Sequence, residues 1–294
     1  MQTAAGGHLR GVLCMLLAVA AFSLMDASMK TLAPHYPPMQ VTALRGLTSL
    51  PLVLLWALVD GGPGQLVRIR WPLHLLRGVL SVIMLVAFVY ALRQLPLAET
   101  YSLFFVAPLL ITALAVPILG EKVGWRRWLA IFIGLGGTLI VLRPSGQGML
   151  SLGGLAVIVS AVGYALSAIT VRVLGRTDST QSMVFWMMTM LSIFSVALAW
   201  RAWIPIDAAH WKPIVVLGLS GAIGQYGVTE AFRRAPASVI APLEYTALIW
   251  GLALDWVLWG TLPDRWMLAG AAVIVLCGLY LLRRERVHVE AEHP

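Results

Sequence analysis

Charge is what this chain has least of. Only 12% of its 294 residues are Asp, Glu, Lys or Arg, against about 25% in an ordinary soluble domain. So few charges could not cover a water-soluble globule of this length, which excludes that class. Cysteine is equally scarce. Cys14 and Cys277 stand in apolar segments at opposite ends of the chain, a spacing that suits neither a disulfide framework nor a thiolate metal site. There are six histidines, at positions 8, 35, 74, 210, 288 and 293, and none falls inside the apolar segments described below. Gly218-Leu219-Ser220-Gly221 has the Gly-x-Ser-Gly form of intramembrane serine proteases. Without a histidine base in reach, the serine has no route to activation. A Gly-x-Gly-Asp motif and a Walker-type phosphate loop are also missing, so neither aspartyl chemistry nor direct ATP drive is expected. No metal and no cofactor is called for. The alternating ten-residue segments of a membrane barrel are absent as well.

What is present is apolar. Hydrophobic residues make up 60% of the chain, and the mean hydropathy is +0.85. They fall in blocks of roughly twenty, the helical length that spans a hydrocarbon core about 30 Å thick. At that depth each block must satisfy its own backbone hydrogen bonds, so each reads as a helix. Ten blocks emerge: 10–32, 38–59, 74–92, 97–118, 125–142, 150–172, 181–200, 212–232, 237–259 and 266–282. Breakers such as Pro37-Pro38, Gly61-Gly62-Pro63-Gly64, Pro144-Ser145-Gly146 and Pro263-Asp264 divide them. The first block continues past twenty residues without a small-residue cleavage site, so it is expected to be a retained helix rather than a signal peptide.

The net charge of +8 is explained by topology rather than by nucleic acid. With the N-terminus inside, fourteen Lys and Arg fall in inner connectors and six in outer ones, and Arg45 lies within a helix. Both termini are therefore expected in the cytoplasm, with the chain in the cell (inner) membrane. A repeat is also legible. Tyr90-Ala-Leu-Arg-Gln-Leu-Pro96 aligns with Glu230-Ala-Phe-Arg-Arg-Ala-Pro236 at an offset of 140, which also pairs Gly120 with Gly260. At an offset of 142, Phe22 meets Tyr164 and Lys30 meets Arg172. Two copies of five helices would sit inverted across the membrane, a pattern associated with alternating access. The expected fold is an all-α integral membrane protein of ten transmembrane helices in two inverted five-helix repeats. The first repeat covers residues 1–145; the second covers 146–294 and ends in a short cytoplasmic tail.

The stretch from Tyr90 to Leu142 contains Pro96-Leu97-Ala98-Glu99, an intrahelical Pro108, Gly120-Glu121-Lys122, and a final helix with Gly134, Gly136 and Gly137. It resembles the EamA-type domain of the drug/metabolite transporter superfamily, and the second half repeats the plan. Thr261 departs from the pattern, standing where the second copy usually has an acidic residue. The resemblance implies a ten-helix carrier with a central pocket, and amino-acid exporters are a prominent group within that superfamily. It leaves the substrate open, with drugs, nucleosides and other metabolites as the alternative to amino acids.

Ionisable groups inside membrane helices are costly and usually face the bundle interior. Asp26 and Arg45 are expected at similar depth on neighbouring helices, either as a neutralising ion pair or as counter-ions for the two ends of a zwitterion. Glu244 follows Pro242, where a missing backbone hydrogen bond can open a carbonyl to a cavity. It could accept an ammonium group or a proton. Phe22, Tyr164, Gln225, Tyr226 and Tyr245 complete the expected substrate-binding set, being rings and an amide suited to an amphipathic solute. Trp186 and Trp250 fall at the same depth. Glu99, Glu230 and Asp255 lie near helix ends, where solvated or capping roles are the plainer reading. The glycines at 221, 224 and 227 are expected to serve close helix packing. The expected partners are a small-molecule substrate, the lipid bilayer and, if flux is proton-linked, protons; nucleic acid is not among them.

Overall fold

The computed structural model describes residues 4–60, 62–67, 69–95, 97–143, 151–260, 262 and 264–291. Pro96, Thr261, Pro263 and the 144–146 connector lie outside these residues, as do the side chains of Glu99 and Asp255. Among the described residues there is no strand. The helices are α1 (Ala4–Leu32), α2 (Pro38–Val59), α3 (Gly64–Val67), α4 (Trp71–Gln94), α5 (Leu97–Phe104), α6 (Ala107–Leu119) and α7 (Trp125–Leu142). They continue with α8 (Leu152–Leu174), α9 (Thr180–Ala199), α10 (Trp211–Arg234), α11 (Ala237–Ile240), α12 (Ala247–Trp259) and α13 (Arg265–Ala291). Three 3-10 segments interrupt or join them: Trp200–Ala202, Ala208–His210 and Ala241–Thr246.

Seven of these runs are long and apolar enough to cross a membrane: α1, α2, α4, α7, α8, α9 and the run from Ala237 to Leu258. Ala107–Leu119 and Arg265–Cys277 are shorter apolar helices. The expected block 97–118 is not one helix. It breaks at Phe105 and Val106, and Pro108 falls in the first turn of α6 rather than inside a helix. A proline is tolerated there because that N–H has no intrahelical partner anyway.

Helix ends follow their sequence. Ser151 and Ser179 accept from the backbone N–H groups of Gly154 and Ser182 at 3.2 Å, starting α8 and α9. Asp264 accepts from the N–H groups of Trp266 and Met267 at 2.9 Å, and it pairs with Arg143 at the end of α7. The Arg143 guanidinium hydrogen bond comes first, and with those N–H groups it holds the exposed Asp264 carboxyl well below the usual carboxylate range. Gly120 and Gly260 end α6 and α12 at φ +70° and +68°, the left-handed region that glycine enters most cheaply.

The helices pack as α1 on α10, α2 on α9, α4 on α8 and α7 on α13, with α6 against α8 and α12 against α1. Glycine makes the closest of these contacts possible. A Cβ at Gly227 would lie 2.8 Å from the Cys14 carbonyl oxygen, and one at Gly224 would lie 2.6 Å from the Phe22 ring. The largest core cluster joins α1, α6, α8, α10 and α11 through residues such as Met15, Ile111, Leu174, Phe232 and Ile240. Outside it, Trp71, Trp125, Trp211 and Trp266 are exposed at helix starts, as interfacial anchors should be. Two residues sit deeper than the sequence suggests. Arg77, counted above among inner connector charges, is 3% exposed within α4 and donates to the Met183 carbonyl at 3.3 Å. Glu230, expected to be solvated or capping, is 2% exposed and accepts from Thr180 and Arg234.

Candidate functional site

Two polar groupings stand inside the bundle. The first involves α1, α2 and α10. Phe22 lies on the glycine surface of α10, and the Arg45 guanidinium stands over its ring, 5.6 Å from the centroid. The Arg45 stem crosses Gly221, where a Cβ would lie 3.5 Å from its Cγ. Its Nε is buried and has no hydrogen-bond partner among the described residues. Asp26 is exposed on α1, within electrostatic reach of Arg45 and of Tyr101 on α5. Among the described residues the two charges form no ion pair within 4.0 Å, so the expected neutralising bridge is not made. Asp26 and Arg45 face a common region without touching.

The second grouping joins α8 to the 3-10 segment between α11 and α12. The Tyr164 hydroxyl donates to Glu244 Oε1 at 2.9 Å. Pro242 sits in the first turn of that segment. The segment's three residues per turn and poorer hydrogen bonds put Glu244 beside locally irregular backbone.

Aromatic rings connect the two groupings. Tyr164 lies 5.8 Å from Phe104, Phe104 lies 5.5 Å from Phe88, and Phe88 lies 6.0 Å from Tyr101. The arc therefore runs from Glu244 to the neighbour of Asp26. Tyr101, Phe104 and Phe88 were not singled out from the sequence. The available signal was the aromatic run Tyr101, Phe104 and Phe105 immediately before the breaking proline.

The remaining expected residues are placed elsewhere. Tyr245 is 2% exposed and points away from Glu244. Its hydroxyl donates to the Phe105 carbonyl at 3.2 Å, and its ring packs on Gly134 beside Val141 and Ile274. Gln225 is buried on α10, and Tyr226 meets Trp56 edge-on at 4.9 Å. Trp186 donates to the Leu66 carbonyl at 2.8 Å, and Trp250 is exposed. The Ser220 hydroxyl is spent on the Val216 carbonyl at 2.5 Å.

Each end of the α1–α10 pair carries its own polar lock. At one end Glu121 accepts from the Ala237 and Ser238 N–H groups at 2.8 and 3.1 Å and from the Ser238 hydroxyl at 2.8 Å. Arg172 approaches Glu121 at 3.8 Å and donates to the Arg233 carbonyl. At the other end Tyr36 meets His210 at 2.8 Å, and Gln40 bonds both the N–H and the carbonyl of Ile204.

Among known proteins, the family model described as the EamA-like transporter family matches residues 9–143 and again 151–284. The pseudopaline exporter of Pseudomonas aeruginosa is 25% identical over 94% of this chain and 97% of its own. The S-adenosylmethionine uptake transporter of Rickettsia prowazekii is 26% identical over 100% and 99%. The riboflavin transporter of Vibrio cholerae is 27% identical over 94% of each. A solved crystal structure of a protein 20% identical in sequence superposes with a TM-score of 0.84, covering 95% of this chain and 99% of that one.

Proposed function

The chain belongs to the EamA-like transporter family, and from that premise we propose that it carries amino acids and similar small zwitterions out of the cytoplasm by alternating access. That it is a multi-pass membrane transporter of a small molecule, rather than an enzyme, follows from the family and from its named relatives. The narrower reading rests on one observation: Asp26 and Arg45 bear opposite charges, face a common region and do not pair. Two uncompensated intramembrane charges are expensive. A solute with an ammonium and a carboxylate on one carbon would satisfy both. Phe22 and the rings from Tyr101 to Tyr164 would meet its apolar part, and Glu244 with Tyr164 could take a proton or a second ammonium. Gln225, Tyr226 and Tyr245 would then support the pocket walls.

Alternating access requires two equivalent halves, here residues 1–145 and 146–294 in ten spans. Several features support an inverted repeat. The break at 105–106 recurs at 245–246, α6 and α12 each have 13 residues 140 positions apart, and both end at a left-handed glycine. Phe105 and Tyr245 are also 140 apart and lie 5.9 Å from each other, as equivalent residues do beside a two-fold axis. Exchanging the halves also maps the main helix pairings onto themselves. The excess of Lys and Arg in one set of connectors supports cytoplasmic termini in the inner membrane.

A second reading has its own support. The aromatic arc is long enough for a larger amphipathic metabolite, and relatives are named for pseudopaline, S-adenosylmethionine and riboflavin. Ligand-induced thermal shifts of the purified protein separate the two. The zwitterion reading expects stabilisation by an amino acid but not by the matching amine without its carboxylate. It also expects the shift to disappear in monodisperse Arg45→Gln and Asp26→Asn proteins. Equal shifts with both ligands, or stabilisation only by larger metabolites, would favour the second reading.

A further inference from the structure

Beside the Glu121 lock lies a groove of about 810 Å³, formed where α6 ends, the connector turns and α7 begins. Its apolar wall is Val116 and Pro117, its basic wall is Lys122 and Arg127, and Gly124 and Trp128 complete it. Glu121 is the acidic residue among the lining side chains. Its carboxylate is turned toward the Ala237 and Ser238 N–H groups and toward Arg172, on the side away from the lysine. The groove therefore carries net positive charge. It opens toward the lipid-facing side of the bundle, where Val116, Ile118 and Trp125 are exposed.

The geometry points to a binding site for an anionic phospholipid, whose phosphate lies against Lys122 and Arg127 and whose acyl chains follow Val116 and Pro117. Two features select a lipid over a soluble anion. The apolar wall continues directly into the exposed membrane-facing surface of α6, and exposed Trp125 with Trp128 marks headgroup depth. Basic pockets between helices at a membrane surface are suited to anionic headgroups, with about 1 kcal/mol gained per Lys or Arg near the surface. The site stands apart from the Asp26, Arg45 and Glu244 region and depends on the family membership, not on the identity of the cargo.

The test uses the full-length protein in detergent, supplied with equal amounts of phosphatidylglycerol and phosphatidylcholine and weighed by native mass spectrometry. The wild type is expected to retain the anionic lipid about fivefold over the zwitterionic one, equivalent to ~1 kcal/mol. Lys122→Gln should bring that ratio close to one. Gly124→Phe tests the volume without removing a charge, because a Cβ at Gly124 meets nothing within 4 Å; it should also abolish the preference. Both variants are read only where thermal melting matches wild type, and Lys212→Gln at a distant connector serves as the control. Equal retention of the two lipids by wild type would overturn the site, as would a preference unchanged in both variants. Displacement of the lipid by millimolar inorganic phosphate would assign the groove to soluble anions and equally overturn the lipid reading.

Discussion

Glu244 occupies a position where a carboxylate is costly, and its single described hydrogen bond comes from Tyr164. Replacing it by glutamine preserves size and the Tyr164 acceptor while removing any proton it exchanges. Glu244→Gln should lower proteoliposome flux by about tenfold, or ~1.4 kcal/mol in a barrier. It should also flatten the dependence of flux on pH, with expression and melting unchanged. Wild-type rate and pH profile in this variant would assign the carboxylate to packing. Asp178 makes a different prediction, because it lies in the connector between α8 and α9. Burial alone would raise its pKa. Hydrogen bonds from the Thr177 hydroxyl, the Arg70 N–H and His74 outweigh that and hold it below the ordinary value. A depressed native pKa stabilises the fold above the unfolded value of about 3.9, and the stabilisation is lost as pH falls through the native value. Asp178→Asn should therefore melt below wild type at pH 7, with the two curves converging near the acidic limit; parallel curves across that window would refute the linkage. At this scale the sequence identified Asp26, Arg45 and Glu244 by their cost in a membrane. It did not reveal which neighbours share a face. Consecutive helical residues diverge by roughly 100–120°, so Glu244 and Tyr245 could not both face one cavity.

Among elements, α10 shows how far pattern reading reaches. Its length was legible, but its glycines and polar residues keep it out of the seven strongly apolar runs. Those same glycines let α1 and α2 approach. Gly227→Ala would place a Cβ 2.8 Å from the Cys14 carbonyl oxygen and 2.9 Å from the Ala18 Cβ. Neither neighbour is a flexible side chain, so the substitution should cost about 1–3 kcal/mol. Gly251→Ala, which meets nothing within 4 Å, should be close to neutral. Thermal melts of the two variants check the contrast, and equal melting temperatures would mean α1 and α10 are not packed this closely. The break between α5 and α6 was misread because Pro108 suits either a kink or a helix start. The partner that decides between them, Tyr245 donating to the Phe105 carbonyl, is 140 residues away. Sequence spacing cannot display such a contact.

For the whole molecule, the repeat offset was visible in residues such as Gly120 and Gly260, whereas the polar locks at the two ends of the bundle were not. Glu121 was recognisable as a family feature, but its engagement with the start of α11 depends on tertiary approach. Topology has its own check. In a cysteine-free background, Arg176→Cys should react with an impermeant maleimide only after cells are opened, and Arg201→Cys should react in intact cells; both positions are exposed. The reverse pattern would invert the proposed orientation. Transport of a zwitterion through the Asp26–Arg45 region is tested most directly by counterflow in proteoliposomes. Vesicles preloaded with an unlabelled amino acid should accumulate the labelled one transiently with wild type, and not with Asp26→Asn or Arg45→Gln. Counterflow of amino acids by both variants at the wild-type rate, or none by wild type alongside clear counterflow of riboflavin or S-adenosylmethionine, would contradict it.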